Sequence, residues 1–179
     1  MNRKLKVEEM DRLSVEAFKK ASKIPLVVVL DNIRSLNNIG SVFRSSDAFR
    51  VEKVWLCGIT ATPPHRGIRK TALGASESVE WEYRENTLDL IEELKEKGYQ
   101  TLAVEQTKDS HNLLSFEPQA DQAYVLVLGN EVKGVDQDVV NACDGVLEIP
   151  QEGTKHSLNI SVSAGIVLWH FYQAHKKTL

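Results

Sequence analysis

The segment Pro25-Leu-Val-Val-Val-Leu30 is a continuous apolar run. Such a run is expected of a strand buried on both faces of a sheet. A helical pattern follows it, with Ile39, Val42, Phe43 and Phe49 at helical spacing. Val54-Trp55-Leu56-Cys57 reads as a second strand, and Val79, Trp81 and Tyr83 alternate like a short third one. Leu88, Ile91 and Leu94 mark a helix that Gly98 can end. Tyr99 to Val104 and Tyr124 to Leu128 are further strands, Asp136 can cap a short helix holding Val139 and Val140, and Gly145 to Ile149 is a last strand. Residues 157–174 read as the final helix. Strands alternating with helices predict an α/β fold with a mainly parallel sheet. No repeat, low-complexity segment or linker interrupts the pattern, which predicts one domain. The least regular stretch, Ile59 to Gly74, reads as a long loop carrying His65, Arg66, Arg69 and Lys70.

Charge narrows the function classes. The chain of 179 residues has 22 Lys+Arg against 25 Asp+Glu, a formal charge of −3. A wholesale basic nucleic-acid binder is thereby disfavoured, whereas a local basic patch is not. Residues 1–24 carry such a patch. Arg3, Lys4, Lys6, Arg12, Lys19, Lys20 and Lys23 outnumber Glu8, Glu9, Asp11 and Glu16 there by three. Val7, Met10, Leu13, Ala17, Phe18 and Ala21 recur at helical spacing, predicting a helix over 7–23. This segment reads equally as a solvated helix and as an RNA-contacting arm. Cys57 and Cys143 lack CxxC spacing and read as reduced, buried, small apolar residues. No apolar stretch reaches the ~18 residues of a membrane span, and the charged N-terminus is no secretory signal. The expected location is cytoplasmic.

Motif searches exclude several chemistries. No GxGxxG follows a strand, so the dinucleotide fingerprint is missing. Gly129 to Gly134 has P-loop glycine spacing, but Val135 and Asp136 stand where Lys and Ser/Thr are required. No HExxH occurs, and His170 and His175 are off the i,i+4 spacing of a metal pair, so no metal is expected. Three segments remain: Asn37 to Arg44, Leu128 to Gly134, and Ile149 to Ser161. Each follows a strand at its carboxyl end, where open α/β sheets bind ligands. Singly, each has a structural explanation: Asn38 as a helix cap, Arg44 as a surface ion-pair partner, Asn159 as a cap. Three such loops from one sheet edge are harder to assign to structure alone.

At these residues the sequence resembles a known family. NNIGSVFRSSDAF, LVLGNEVKGV and IPQEGTKHSLNISVSAG look like the three signature motifs of the SpoU/TrmH group of RNA 2′-O-ribose methyltransferases, in the SPOUT superfamily. The motifs stand in the family's order, and the resemblance covers roughly residues 25–174. It implies a single SPOUT domain over 25–179, preceded by the basic helical arm of 1–24. It also implies a deep C-terminal trefoil knot, an exception to the rule against knots. The implied cofactor is S-adenosylmethionine, in a pocket built by the knot. The implied assembly is a homodimer, with the last helix and the first-motif helix near the interface. Carried onto this sequence, the catalytic set is Asn38, Arg44, Glu131, Ser157 and Asn159. The cofactor-binding set is Leu128, Gly129, Asn130, Ile149 and Leu158. Gln151 departs from the family, where Met after Ile-Pro is common.

The residue types suit the reaction so implied. S-adenosylmethionine is cationic at sulfur and has no phosphate, so carbonyls and apolar side chains fit it better than a glycine-rich anion cradle. RNA phosphates instead call for Arg, Lys and backbone N–H groups. Arg44, His65, Arg66, Arg69 and Lys70 are expected to contact RNA. Arg44 carries a permanent charge, so stabilising a developing alkoxide is an easier role for it than accepting a proton. Glu131 reads as holding Arg44, the loop backbone or the knot. Too few residues precede the first strand for a separate RNA-binding domain, so recognition is expected from the catalytic dimer, the arm and the 59–74 stretch. Transfer RNA is the first expected substrate, ahead of ribosomal RNA. The alternative reading is a noncatalytic knotted RNA-binding relative.

Overall fold

A computed structural model describes residues 2–119 and 121–177; the last two residues of the 25–179 span lie outside them. Its centre is β1 (Ile24–Asp31), where seven of eight residues are buried, six of them in an unbroken row. Alternate β1 side chains enter different cores. Leu26, Val28 and Leu30 join one cluster, whereas Val27 and Val29 join the other. The side-chain period of two divides a uniformly apolar run between the two faces.

The other elements complete a sheet covered on both sides. In chain order they are α1 (Val15–Lys20), α2 (Leu36–Ala48), β2 (Val51–Cys57), α3 (Arg66–Ala72), α4 (Ala75–Ser78) and β3 (Glu80–Arg84). There follow α5 (Thr87–Glu96), β4 (Gln100–Val104), β5 (His111–Asn112), β6 (Tyr124–Leu128), α6 (Gln137–Ala142), β7 (Gly145–Glu148) and α7 (Ile160–Lys177). Among the described residues the seven strands run in the order β3-β2-β1-β6-β4-β7-β5, and each of their pairings is parallel. Helices α2, α3 and α7 bury Ile39, Phe43, Ile68, Val167 and Leu168 against one face. Helices α5 and α6 bury Leu90, Ile91, Leu94 and Val139 against the other. The predicted α/β class with a parallel sheet is the observed one.

Local chemistry sets the helix ends. Ser35 caps α2, its hydroxyl accepting from Asn38 N at 3.3 Å. Asn86 caps α5, and Asp136 caps α6 as predicted. Gly98, at φ 88°, follows α5 in the left-handed conformation that suits glycine.

Four expectations need correction. The helix predicted over 7–23 is a 3₁₀ turn at Val7–Glu9 and then α1. Asp11 breaks it at φ 47°, and Ser14 recaps it by accepting from Ala17 N. Met10 and Leu13 remain exposed while Phe18 is buried, so the periodic apolar row is not a continuous core face. The stretch from Ile59 to Gly74 is not a loop. It holds α3, capped by His65 Nδ1 accepting from Gly67 N at 3.0 Å, and α4 follows it. Burial of Ile68 and Ala72 against α2 overrides the weak propensity of the segment. The last helix begins at Ile160 rather than 157, because Asn159 caps it from outside. Finally, Cys57 is buried and its thiol is pushed up to about 12 by burial, but Cys143 is only partly buried.

Candidate active site

The carboxyl ends of β4, β6 and β7 open into one cavity of about 500 Å³. Parallel α/β sheets bind ligands at this edge. Val104, Leu128, Ile149 and Leu158 give it apolar walls, and Gly129, Asn130 and Ser157 line it too. The five residues expected at the cofactor therefore share one cavity, although their loops are far apart in sequence.

The loop after β6 is a tight hairpin held by its own amide. Asn130 and Gly134 exchange backbone hydrogen bonds at 2.9 and 2.8 Å. Asn130 Oδ1 accepts from Val132 N at 2.9 Å and Lys133 N at 3.1 Å, and its Nδ2 donates to the Asn32 carbonyl at 2.7 Å. Gly129 leaves no room for a Cβ, which would strike the backbone of Gly134 and Val135. Glycine is required there by close backbone approach.

That hairpin aims Glu131 at the start of α2. Its carboxylate accepts from Arg34 N at 3.1 Å, Ser35 N at 2.9 Å and Asn38 Nδ2 at 3.0 Å. Burial raises its pKa, but these donors together outweigh burial and hold it below its ordinary value. Negative charge at a helix N-terminus is also favoured by the helix dipole. Asn38, 8% exposed, in turn accepts at Oδ1 from Asn159 Nδ2 at 3.2 Å. Asn159 Oδ1 accepts from Ser161 N and Oγ at 2.9 and 2.7 Å. Glu131, Asn38 and Asn159 thus form one chain of hydrogen bonds, joining all three segments singled out in the sequence. Glu131, Ser157 and Asn159 line the cavity beside it.

Arg44 is not brought to that cavity. It lies six residues along α2 from Asn38, exposed, and makes no hydrogen bond or ion pair among the described residues. His65, Arg66, Arg69 and Lys70 are also exposed and outside the cavity. Arg66, Arg69 and Lys70 share one side of α3, at helical spacing. Gly40 lets α3 pack this closely on α2, since a Cβ there would strike Thr71 Oγ1 and the Ile68 carbonyl.

Sequence reasoning missed Glu105 and Gln106, which also line the cavity. Glu105 Oε1 accepts from Val135 N at 2.9 Å, and Gln106 Nε2 donates to the His156 carbonyl at 2.7 Å. Their signal was position, directly after a strand at its carboxyl end. No group of three or more His, Cys, Asp or Glu suited to a metal ion occurs among the described residues. No helix among them is long and apolar enough to cross a membrane.

The donor set fits S-adenosylmethionine. The cavity has the size of a small-molecule site. It combines aliphatic walls, main-chain groups and carboxylates, and lacks a glycine-rich cradle for phosphate.

Fold and site define a parallel α/β protein whose nucleoside-sized cavity is walled by three strand-end loops. The chain belongs to the SpoU rRNA Methylase family, whose model matches residues 25–169. It is 31% identical over 158 residues to a 23S rRNA (guanosine-2′-O-)-methyltransferase RlmB of Neisseria meningitidis serogroup B, covering 86% of this chain and 60% of that protein. A TrmH/SpoU tRNA modifying enzyme of A. aeolicus superposes with a TM-score of 0.80 at 27% identity, covering 92% of this chain and 81% of that one. An AdoMet-bound rRNA methyltransferase from Sinorhizobium meliloti shares the fold, with a TM-score of 0.77 at 24% identity, covering 86% of this chain and 61% of that one. The chain spans about three fifths of the length of the curated relatives it matches.

Proposed function

We propose that this protein transfers a methyl group from S-adenosylmethionine to a ribose 2′-hydroxyl of RNA. One observation carries the reading. Glu131, Asn38 and Asn159, from the hairpin after β6, the first turn of α2 and the segment before α7, hydrogen-bond in series, and Glu131 and Asn159 line the cavity. The family supports it, as do the relatives that methylate 23S rRNA and modify tRNA. When bound, S-adenosylmethionine supplies an electrophilic methyl group. Leu128, Ile149 and Leu158 exclude water around it, and Gly129 and Asn130 shape the wall. The carboxylate of Glu131 fixes the Asn38 amide and the start of α2. Ser157 and Asn159 orient the ribose. Positioning two partners for an in-line displacement is most of what such a catalyst must do.

Arg44 stabilises the developing alkoxide by charge-assisted hydrogen bonds, since a guanidinium is a poor proton acceptor; the hydroxyl proton passes to water, and the cofactor would leave as the neutral thioether. One chain leaves Arg44 outside the cavity, which is the support for a homodimer in which α2 of one copy serves the site of the other. Val162, Ile166 and Trp169 form an exposed apolar row on α7, the helix that packs on α2. Residues 25–179 are the catalytic domain in this reading, and the segments walling the cavity form its trefoil knot. The 1–24 arm, with only Phe18 of α1 buried, and the basic side of α3 track RNA phosphates. Transfer RNA is the preferred substrate in this reading, because its compact shape lies across one dimer. The cytoplasm, where that RNA resides, is the proposed location.

The test is methyl transfer from labelled S-adenosylmethionine to bulk tRNA and, separately, rRNA from cells lacking the gene. Nucleosides are resolved by mass spectrometry, with Arg44→Ala as control. A 2′-O-methylnucleoside made by the wild type in the tRNA pool, and lost with Arg44→Ala while cofactor binding persists, is the expected result. No transfer and no cofactor binding would overturn the reading.

A further inference from the structure

We propose that Glu105 recognises the cofactor's ribose, its carboxylate accepting from the vicinal 2′- and 3′-hydroxyls of the adenosine moiety. The inference rests on the S-adenosylmethionine reading above. Glu105 directly follows β4 and faces the same cavity as Leu128 and Ile149. Its carboxylate is held at both oxygens by main-chain donors. Oε1 accepts from Val135 N at 2.9 Å, and Oε2 accepts from Gln106 N at 3.2 Å. A Cβ on Gly134 would strike Oε1, so the hairpin after β6 closes directly onto this group.

An ionised carboxylate has about four acceptor sites, and two are used here. No other hydrogen bond reaches the carboxylate and no cation pairs with it among the described residues. The second carboxylate at the cavity, Glu131, is committed to Arg34 N, Ser35 N and Asn38 Nδ2. Glu105 is therefore the wall carboxylate with acceptor capacity to spare. It is also preoriented, so little side-chain entropy is lost on binding. A carboxylate at the end of a parallel strand is what α/β nucleotide sites use for ribose hydroxyls. A vicinal diol presents two donors at the spacing of two carboxylate oxygens. A site built for hydroxyls also rejects ligands lacking them, because its acceptors are then left unpaired.

The experiment measures affinity by titration calorimetry rather than turnover. The ligands are S-adenosylmethionine, 5′-methylthioadenosine and 2′-deoxy-5′-methylthioadenosine. The proteins are wild type and Glu105→Gln, the latter keeping an oxygen for Val135 N. Loss of a hydrogen bond to a charged group weakens binding roughly tenfold or more. Wild type is expected to bind the 2′-deoxy compound roughly tenfold or more below its parent. In Glu105→Gln, S-adenosylmethionine and 5′-methylthioadenosine are expected to weaken by a like factor, and the 2′-deoxy penalty to vanish. Unchanged affinities in a folded Glu105→Gln, or a 2′-deoxy penalty that persists there, overturn the inference. A loss confined to S-adenosylmethionine also overturns it, because Glu105 would then face the ammonium end. Should Glu105→Gln not fold, the wild-type comparison decides, and equal affinities for the two thioadenosines refute the role. Wild type binding no S-adenosylmethionine fails the methyltransferase reading itself.

Discussion

Asn159 Nδ2 donates to Asn38 Oδ1 at 3.2 Å across 121 residues of sequence. The bond fixes which way the Asn38 amide faces, since its own Nδ2 is already given to Glu131. Substituting either asparagine by Ala is expected to lower methyl transfer strongly, with cofactor affinity changed little. In a double-mutant cycle the two losses should not add, because each breaks the same network. Independent, additive losses would refute a shared role.

Glu131 makes stability depend on acid pH. Its pKa is held below the ordinary 4.5, so its contribution is complete above that value. The contribution is lost as pH falls through the depressed one. Glu131→Gln removes the titrating group. Its melting temperature should sit below wild type at pH 7, and the two should converge as pH falls through that depressed value. Parallel curves across that range would contradict the geometry.

Gly40→Ala should destabilise the protein by roughly 1–3 kcal/mol, the usual cost of overpacking. The added Cβ meets Thr71 Oγ1 and the Ile68 carbonyl, and backbone cannot yield as a side-chain tip does. Urea unfolding measures the change. An unaltered midpoint would mean that α2 and α3 are not packed this closely.

Ile166→Glu together with Trp169→Asp is expected to yield a monomer that still binds S-adenosylmethionine but does not methylate RNA. Sedimentation velocity reads the assembly, and labelled methyl transfer reads the activity. The two positions are 37% and 47% exposed in one chain, so the substitutions should leave the fold intact. A dimer that survives both changes would place the interface elsewhere.

Arg66→Ala and Arg69→Ala should weaken RNA binding without touching cofactor affinity. Each lost phosphate contact is expected to reduce the salt slope of log K by about 0.7–0.9. Filter binding at several salt concentrations measures it. An unchanged slope would remove α3 from the RNA surface.

The N-terminal part of the chain shows where sequence patterns mislead. Met10 and Leu13 fit the same helical row as Phe18, yet only Phe18 is buried. Periodicity records which residues could share a face and not whether a core is there to receive them. The opposite error occurred at Ile68 and Ala72. Two buried residues among charges looked like a loop, and α2 supplied the surface that makes them a helix.

What the sequence determined by itself was local or repetitive. The apolar run of β1 required cover on both faces, the β–α alternation required a parallel sheet, and Asp136 and Gly98 marked helix ends. Strand direction then put the three loops at one edge, because parallel strands share their carboxyl ends. Tertiary structure decided which atoms meet there. Glu131 reaches Asn38 across 93 residues, and Glu105 reaches Val135 across 30. Such pairings depend on strand order and on hairpin closure at Gly129 and Gly134, which no short window of sequence encodes. Nor did one folded chain bring Arg44 to the cavity, because α2 directs it to the surface.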